Sequence, residues 1–158
     1  MSLSFFEIED IHEKLQQVES TITSLLNGAQ LKIPTTPVRG IEVVDVTRMP
    51  PKKGLSKPES QARLIHDVAN IELQALEMCL RGLAEYPDAP EAFKQELSEI
   101  ARDEARHFSE CLSEIESLGY QWGDWPCHLG LWNALSAEDN LLDRVFIVHR
   151  YLEGSGLD

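Results

Sequence analysis

A glutamate and a histidine lie three residues apart in Glu104-Ala105-Arg106-His107, within a long stretch of helical periodicity. Apolar residues there recur at steps of three and four, which predicts one face of an amphipathic helix. The face comprises Phe93, Leu97, Ile100, Glu104, Phe108, Cys111, Ile115 and Leu118. Burying Glu104 and His107 without a partner is costly, so we expect something to bind them. A glutamate and a histidine at this spacing on an inward helix face can share one metal ion.

Two further carboxylates occupy positions where a hydrophobic residue is expected. Glu72 interrupts the apolar pattern of an earlier segment, and Glu153 follows that of a later one. Carboxylates are rarely fully buried unless they are paired or bound to a metal. Three of them on three inward faces, together with His107, predict a metal centre in a bundle core. Carboxylate oxygens and imidazole suit iron or manganese, with zinc as a further possibility.

The same residues have an alternative interpretation, because Glu-x-x-His arises easily by chance in a helical chain rich in glutamate. Glu9-Asp10-Ile11-His12 is a second occurrence. In this interpretation the carboxylates flank the apolar face and reach solvent or an arginine. The available arginines are Arg63, Arg102, Arg106, Arg144 and Arg150. Asp103, beside Glu104, is expected to be a surface acid or to support a ligand from behind.

Composition limits the classes of partner. The chain has 158 residues, enough for one domain with a real core, and a formal net charge of -13. Such acidity argues against nucleic acid as a partner, although an RNA substrate held by a local basic patch stays open. Residues 48–57 form the one basic cluster of the sequence. The three cysteines, Cys79, Cys111 and Cys127, have no CxxC spacing and predict neither a disulfide framework nor a zinc ribbon.

The N-terminal residues have neither the basic start nor the apolar core of a signal peptide. No apolar run approaches the length of a membrane span. We therefore expect a protein of the cytoplasm without membrane partners.

Four helices and one extended strap are predicted. A helix over 5–27 precedes a Pro-rich segment, 28–58, which should lie as a strap over the bundle. Helices follow over 59–84 and over 91–118, the latter ending at Gly119. An aromatic-rich connection over 120–132 leads to a last helix that ends near Glu153. We divide the chain into an N-terminal helix with its strap, 1–58, and a helical bundle, 59–158.

The remaining histidines and tryptophans are expected to be structural. His66 lies six residues before Glu72, hence on another face, and should serve as a hydrogen-bonding residue. His128 should lock its loop. His149 could join Glu153 as a ligand, but a core histidine is the favoured interpretation. The tryptophans at 122, 125 and 132 are expected to anchor packing, since the overall charge disfavours their use in stacking on bases.

Several blocks follow one another between residues 64 and 158. They are Leu64-Ile65-His66, Ile71-Glu72-Leu73-Gln74-Ala75, Asp103-Glu104-Ala105-Arg106-His107-Phe108, Leu118-Gly119-Tyr120, Gly123-Asp124, His128-Leu129-Gly130-Leu131-Trp132, Leu152-Glu153 and Gly156-Leu157-Asp158. This order resembles a bacterial family of ferritin-like proteins of unknown function, and the strap resembles theirs too. The resemblance implies an all-α, ferritin-like helical bundle related to di-iron oxygenases, including tRNA-modifying hydroxylases.

The resemblance also implies roles for the candidate ligands. Glu72 would be a terminal ligand of one metal, Glu104 the bridging carboxylate, and His107 the imidazole of the first metal. Glu153 would be the terminal carboxylate of the second metal. Iron is the expected metal, as a di-iron centre, with manganese or zinc as alternatives. The implied function is a metal-binding protein that could act as an oxidoreductase on an unknown substrate.

The sequence departs from that family most at its end, and also at Asn70 and His149, where the family tends to have histidine and proline. Such proteins have a second Glu-x-x-His on a further helix after Gly-Leu-Asp, whereas this sequence ends at Asp158. Three explanations stay open: the sequence is shortened, a partner chain completes the site, or Glu9 and His12 substitute for the missing ligands. A bundle without that helix would leave apolar faces uncovered, which favours a homodimer. The alternatives to a di-metal oxidoreductase are a non-catalytic helical protein with a degenerate site and a single-metal site, such as a zinc hydrolase.

Overall fold

In the computed structural model the backbone is described for residues 4–154 and the side chains for residues 4–148. The helices of this region are α1 (Ile11–Gln16), α2 (Val18–Leu26), α3 (Pro58–Glu85), α4 (Glu91–Ser117), α5 (Gly130–Asn133) and α6 (Leu141–Gly154). Short 3₁₀ turns occur at Phe5–Glu7 and Val46–Arg48. The predicted all-α bundle is confirmed. Over the described residues, no helix is both long enough and apolar enough to cross a membrane.

The helices α3 and α4 form a long hairpin, and most of the packing is between them. Pro58 starts α3, where its missing N–H costs nothing. Gly119, at φ +87°, ends α4 by donating its N–H to the carbonyl of Glu116 at 2.9 Å. The helices predicted over 59–84 and 91–118 agree with these bounds to within one residue at each end.

The buried face of α4 is rotated from the apolar stripe predicted for it. Its buried residues are Ser98, Ala101, Phe108, Leu112 and Ile115. Ile100, which the stripe places in the core, is 43% exposed. The small residues Ser98 and Ala101 face the neighbouring helices, and this turns Ile100 and Glu104 to the edge of the interface. Glu104, which the sequence places in register with the apolar stripe, therefore lies at the edge of the buried face with its side chain mostly covered.

The N-terminal helix predicted over 5–27 is broken into three pieces. Asp10 accepts a hydrogen bond from the Glu13 N–H at 2.8 Å, which starts α1 at Ile11 instead of Phe5. Gln17 then separates α1 from α2. Phe5, Ile11 and Ile22, which recur at helical spacing, are nevertheless buried. The apolar pattern locates the buried side chains correctly, but the local cap sets where the helix begins.

The strap lies over the bundle as predicted, and backbone contacts fix it at two points. Val38 donates its N–H to the Phe6 carbonyl at 2.8 Å. Val43 pairs with Cys127 in an isolated parallel β-bridge, flanked by hydrogen bonds from Val44 and Cys127 at 2.9 Å. The valines of the strap thus form a single bridge. Within the described residues, no strand extends beyond it.

A buried ion cluster joins the strap, α1 and α3. The guanidinium of Arg39 binds both carboxylate oxygens of Glu77, at 2.6 and 2.5 Å, and the Lys14 ammonium lies 3.2 Å from one of them. All three side chains are almost completely buried. The Lys14 ammonium also donates to the carbonyl of Val38 at 2.9 Å. Because these groups come from three segments, the cluster fixes how the N-terminal region lies on the bundle.

The connection after α4 is held by side chains of α3. Gln74, fully buried, accepts from the backbone N–H groups of Leu131 and Trp132 at 3.0 and 3.1 Å. Its amide nitrogen donates to the carbonyl of His128 at 3.1 Å. The His128 ring accepts from the N–H of Gly130 at 3.1 Å, which locks the loop as predicted. These bonds start α5 and place Trp132 in the core.

The last helix is attached to the end of α3 through one arginine. Arg144, 3% exposed, donates to Glu85 at 2.6 Å, to Asp139 at 3.2 Å and to the Ser136 carbonyl at 2.7 Å. The alternative interpretation of the sequence offered Arg144 as a partner of the candidate ligand carboxylates. Its bonds to Glu85 and Asp139 show that it pairs elsewhere.

Replacing Glu77 tests the ion cluster. In Glu77→Gln, Arg39 and Lys14 stay buried without a counter-charge, so the free energy of unfolding should fall by about 3–5 kcal/mol. Chemical denaturation measures this change. Glu96→Gln, an exposed glutamate of α4, is the matched control and should change stability by less than about 0.5 kcal/mol. Equal losses in the two variants would contradict the assigned role of the cluster.

His66 is a buried, neutral histidine with a structural role, as predicted. Its Nε2 accepts the N–H of Gly123 at 3.1 Å, and its ring stacks on Trp122 at a centroid distance of 4.6 Å. Burial lowers its pKa from 6.5 to about 4. The stability that depends on neutral His66 is therefore complete above pH 6.5 and is lost as the pH falls towards 4.

The free energy of unfolding should depend on pH in this way. Between pH 7 and pH 5 His66 should lower it by about 2 kcal/mol, because the histidine binds a proton in the unfolded state but not in the folded state. His66→Gln can still accept the Gly123 bond and does not titrate, so its stability should fall less over this range. Denaturation at several pH values gives the difference. His12→Gln, at an exposed site, should follow the wild type, and a His66→Gln curve parallel to both would refute the assignment.

Candidate metal centre

Three of the four predicted ligands meet between α3 and α4. Glu72 comes from α3, while Glu104 and His107 lie one turn apart on α4, and one possible ligand atom of each lies within 4.8 Å of the others. His107 Nδ1 is 3.4 Å from Glu72 Oε2 and 3.5 Å from Glu104 Oε2. Among residues whose side chains are described, no other group of three His, Cys, Asp or Glu side chains is so placed.

The spacing of these atoms suits one transition-metal ion. Two ligand atoms bound at about 2.1 Å and at a tetrahedral angle lie about 3.4 Å apart. The two distances from His107 Nδ1 are of this size. Two carboxylate oxygens and one imidazole nitrogen form a donor set that suits iron, manganese or zinc. The residues present therefore fit a metal ion without a rearrangement of the helices.

The site is partly shielded from solvent. The exposed fractions of the side chains are 16% for Glu104, 22% for Glu72 and 42% for His107. One side of the cluster is therefore packed against protein, and His107 lies at its open side. A metal held here would have three protein ligands and a side open to water or substrate, which is the usual form of a reactive site.

The two carboxyl groups repel each other in the absence of a cation. The pKa of Glu104 is raised to about 8, first by burial and then by the hydrogen bond to Glu72 and its charge, with a smaller contribution from Asp103. A proton is therefore shared between Glu72 and Glu104 at neutral pH. Two carboxylates that cannot both ionise alone are well suited to a divalent cation, which would remove the repulsion.

An arginine sets the orientation of the imidazole. Arg106 Nη2 lies 3.1 Å from His107 Nε2. Because a guanidinium can only donate, Nε2 must be the acceptor, which leaves the proton of a neutral ring on Nδ1. Nδ1 is also the nitrogen that faces Glu72 and Glu104. A metal on Nδ1 would require the neutral ring to carry its proton on Nε2 instead, and the contact with Arg106 would have to open because both groups would then be donors.

Two thiols lie in the electrostatic field of the cluster. Burial, with the charge of Glu104, raises the pKa of Cys79 to about 12, and burial, with the charge of Glu72, raises that of Cys111 to about 11. Both are protonated at neutral pH and are not thiolate ligands of the kind that zinc prefers. Cys79 and Cys127 are buried, Cys111 is partly buried, and all three are free. The sequence predicted buried hydrophobic roles for Cys79 and Cys111 but gave no sign of their nearness to the site.

The other candidate ligands lie away from this cluster or outside the residues whose side chains are described. The side chains of Glu153 and His149 lie outside the described residues, so their role as ligands stays a prediction. Glu9 and His12 line a different cleft, with Gly40 and Leu112, and do not join the group. Asp103 pairs with Arg106 at 3.5 Å on the surface.

Comparison with known proteins gives a family without an assigned function. The model of DUF455, described as a protein of unknown function, matches residues 7–158. The chain belongs to the DUF455 family. An uncharacterized protein of Haemophilus influenzae (strain ATCC 51907 / DSM 11121 / KW20 / Rd) is 34% identical over 116 residues, which cover 68% of this chain. The matched region spans 40% of that relative's length. No solved structure matches the chain.

Proposed function

We propose that this DUF455 protein binds a transition-metal ion through Glu72, Glu104 and His107. The convergence of these three side chains from two helices is the observation that supports the proposal. Iron is the metal we expect, and manganese or zinc would suit the same donors. A second ion would need further ligands, of which Glu153 is the one proposed from this chain.

Each ligand would have a distinct task. Glu104, the more shielded carboxylate, would give up its shared proton and neutralise the ion, while Glu72 holds it against α3. His107 would complete the set through Nδ1, with its ring proton on Nε2 and the contact with Arg106 released. Bound iron would supply redox chemistry with dioxygen, and the chain would supply ligand geometry and a partly dry site. We propose on this basis a ferritin-like oxidoreductase whose substrate is unknown.

A non-catalytic helical protein with a degenerate site is the alternative. The Glu72–Glu104 pair supports it, since two carboxyl groups can share a proton without any metal. The two proposals predict different effects of this carboxyl pair on the stability of the protein. Without metal, Glu104→Gln removes a desolvated carboxyl and should leave stability unchanged or higher at pH 8. With metal bound, the same substitution should lower stability.

Metal content and stability together decide between these proposals. Purified protein reconstituted with Fe(II), Mn(II) or Zn(II) under anaerobic conditions should retain about one ion per chain or more, measured by inductively coupled plasma mass spectrometry. The metal should raise the melting temperature, and Glu72→Ala, Glu104→Gln and His107→Ala should each abolish both effects. Less than about a tenth of an equivalent, with an unchanged melting temperature, would refute metal binding.

Matched variants control for general effects of charge. Glu99→Ala removes an exposed carboxylate from α4, and His12→Ala removes an exposed histidine outside the cluster. Both should retain the wild-type metal content. Loss of metal in either would show that the ions bind diffusely to an acidic surface. Anomalous scattering at the iron and zinc edges of a metal-loaded crystal identifies the ion.

We further propose that the chain associates with itself through α6. Leu142 is 78% exposed and Phe146 is 63% exposed, and both belong to a helix that borders an apolar groove of about 200 Å³ beside Ile100. Large exposed side chains of this kind on adjacent turns support an interface. We also place the protein in the cytoplasm and propose no membrane partner, with nucleic acid disfavoured by the net charge of -13.

Solution mass tests the proposed dimer. Sedimentation velocity should give a dimer for the wild type and a monomer for Leu142→Ser/Phe146→Ser, because the substitutions remove the apolar area that drives association. Val46→Ser changes an apolar residue of the strap that is 52% exposed and should leave the dimer intact. A wild-type monomer at all concentrations would refute the proposal.

A further inference from the structure

A second cavity, separate from the carboxylate cluster, lies between the strap and the first turns of α3. Its volume is about 350 Å³, within the range of small-molecule sites. Lys52 and Lys53 of the strap, Arg63, Leu64 and Asp67 of α3, and Trp125 of the aromatic connection are among its lining residues. Three distant parts of the sequence thus form one pocket, to which neither the family description nor the proposed metal site gives a role.

The pocket is held open by hydrogen bonds and is not a loose gap. Arg63 donates to the carbonyl of Pro51 at 2.9 Å and to that of Pro50. Gln61 donates to the carbonyl of Leu55 at 2.8 Å. Side chains of α3 therefore bind the strap on either side of Lys52 and Lys53. This arrangement fixes both lysines at the mouth of the pocket.

The mouth is positive on a strongly negative protein. Three basic residues, Lys52, Lys53 and Arg63, line the pocket against two acids, Glu59 and Asp67, whereas the chain as a whole carries a net charge of -13. An anion approaching this protein is repelled elsewhere and attracted here. Lysine ammonium groups on an exposed loop are common partners of phosphate groups.

Inside the pocket, Asp67 offers a hydrogen-bond acceptor that nothing in the described chain uses. Its Oδ1 is shielded from solvent and has no partner. Burial raises its pKa, while the charges of Arg63, Lys52 and His128 act in the opposite direction. A buried acceptor without a donor costs about 1–3 kcal/mol, so a ligand with an N–H or O–H group would be favoured here.

Trp125 forms a fixed flat wall. Its ring packs edge-on against His66 at a centroid distance of 5.6 Å and lies 5.3 Å from the ring of Tyr120. His66 is itself buried against Trp122. A ring held in this way can pack against a flat heterocycle without first being ordered, which favours binding.

We propose that this pocket binds a mononucleotide, with its phosphate at Lys52 and Lys53, its base against Trp125, and a donor group of the nucleoside at Asp67. The positive mouth, the aromatic wall and the unused buried acceptor each match one part of such a molecule. The net negative charge of the protein disfavours a long nucleic acid more than a single phosphate.

Tryptophan fluorescence and calorimetry with AMP, GMP, CMP and UMP test the proposal on the full chain. At least one nucleotide should bind and quench fluorescence. Lys52→Ala/Lys53→Ala changes exposed residues, so the protein should stay folded while binding weakens by about tenfold or more. Asp67→Ala should weaken binding about tenfold without loss of stability, because it removes an unpaired buried group. Lys32→Ala, another exposed lysine of the strap, should bind as the wild type does.

Four results would overturn the proposal. They are no binding of any of the four nucleotides, equal binding by the wild type and the double lysine variant, binding of inorganic phosphate as tight as that of the nucleotides, and tight binding of the free nucleosides that lack phosphate. The third result would identify a simple anion patch, and the fourth an apolar pocket that makes no use of its positive mouth. Removal of metal should change none of these measurements, so the test is independent of the proposed metal site.

Discussion

The carboxylate of Glu77 holds three parts of the chain in place. It accepts two hydrogen bonds from Arg39 of the strap and lies 3.2 Å from Lys14 of α1, in an environment from which water is excluded. Two cations and one anion leave an excess positive charge. Burial and the charge of Arg39 lower the pKa of Lys14, and Glu77 opposes them. Removing Glu77 leaves two cations without a counter-charge in a dry interior, so the N-terminal segments and the strap depend on this contact for their position.

Helix α3 carries a second carboxylate, Glu72, whose neighbour is another acid and not an arginine. Glu72 precedes Glu77 by five residues, which corresponds to roughly 140° around α3, so the two side chains leave the helix on different faces. Glu77 has a bidentate arginine, while Glu72 has another carboxyl group, Glu104, as its neighbour. A buried charge that is fully paired has no further need of a ligand, whereas a carboxyl pair needs either a proton or a cation. This contrast makes the junction of α3 and α4, and not the region beneath the strap, the candidate site for a cation.

Helical periodicity predicted the long helices and the ligand spacing because both are local. Glu104 and His107 belong to one turn, and their approach to Glu72 follows once α3 and α4 pack as a hairpin. Periodicity could not predict that Ile100 is exposed, since it gives the apolar face of a helix but not which neighbour covers it. The split of the N-terminal helix depends on a single side-chain cap at Asp10. Local patterns were therefore sufficient for the two long helices, whereas this cap, which is also local, was missed because the apolar periodicity runs through it.

The Glu77 cluster escaped prediction for the opposite reason. Its partners are 38 and 63 residues away along the chain, and no pattern links them. Glu77 adjoins an apolar residue on each side, Leu76 and Met78, and neither the spacing nor the composition distinguishes it from a surface glutamate. Glu153, by contrast, stays a prediction, because its side chain is outside the described residues. What the sequence could not supply was the tertiary contact that decides which acids are paired.

Protons and metal ions compete for the Glu72–Glu104–His107 cluster. At neutral pH Glu104 keeps a proton, and His107, when neutral, carries its own on the nitrogen that faces the carboxylates. A cation bound to all three groups would take the place of the carboxyl proton, and the ring proton would move from Nδ1 to Nε2, because a histidine ligand is a neutral imidazole. Nε2 would then be a donor, so Arg106 would have to release it. The cluster is therefore suited to exchange one proton for one divalent ion, and the contact between Arg106 and His107 is the part of it that would change.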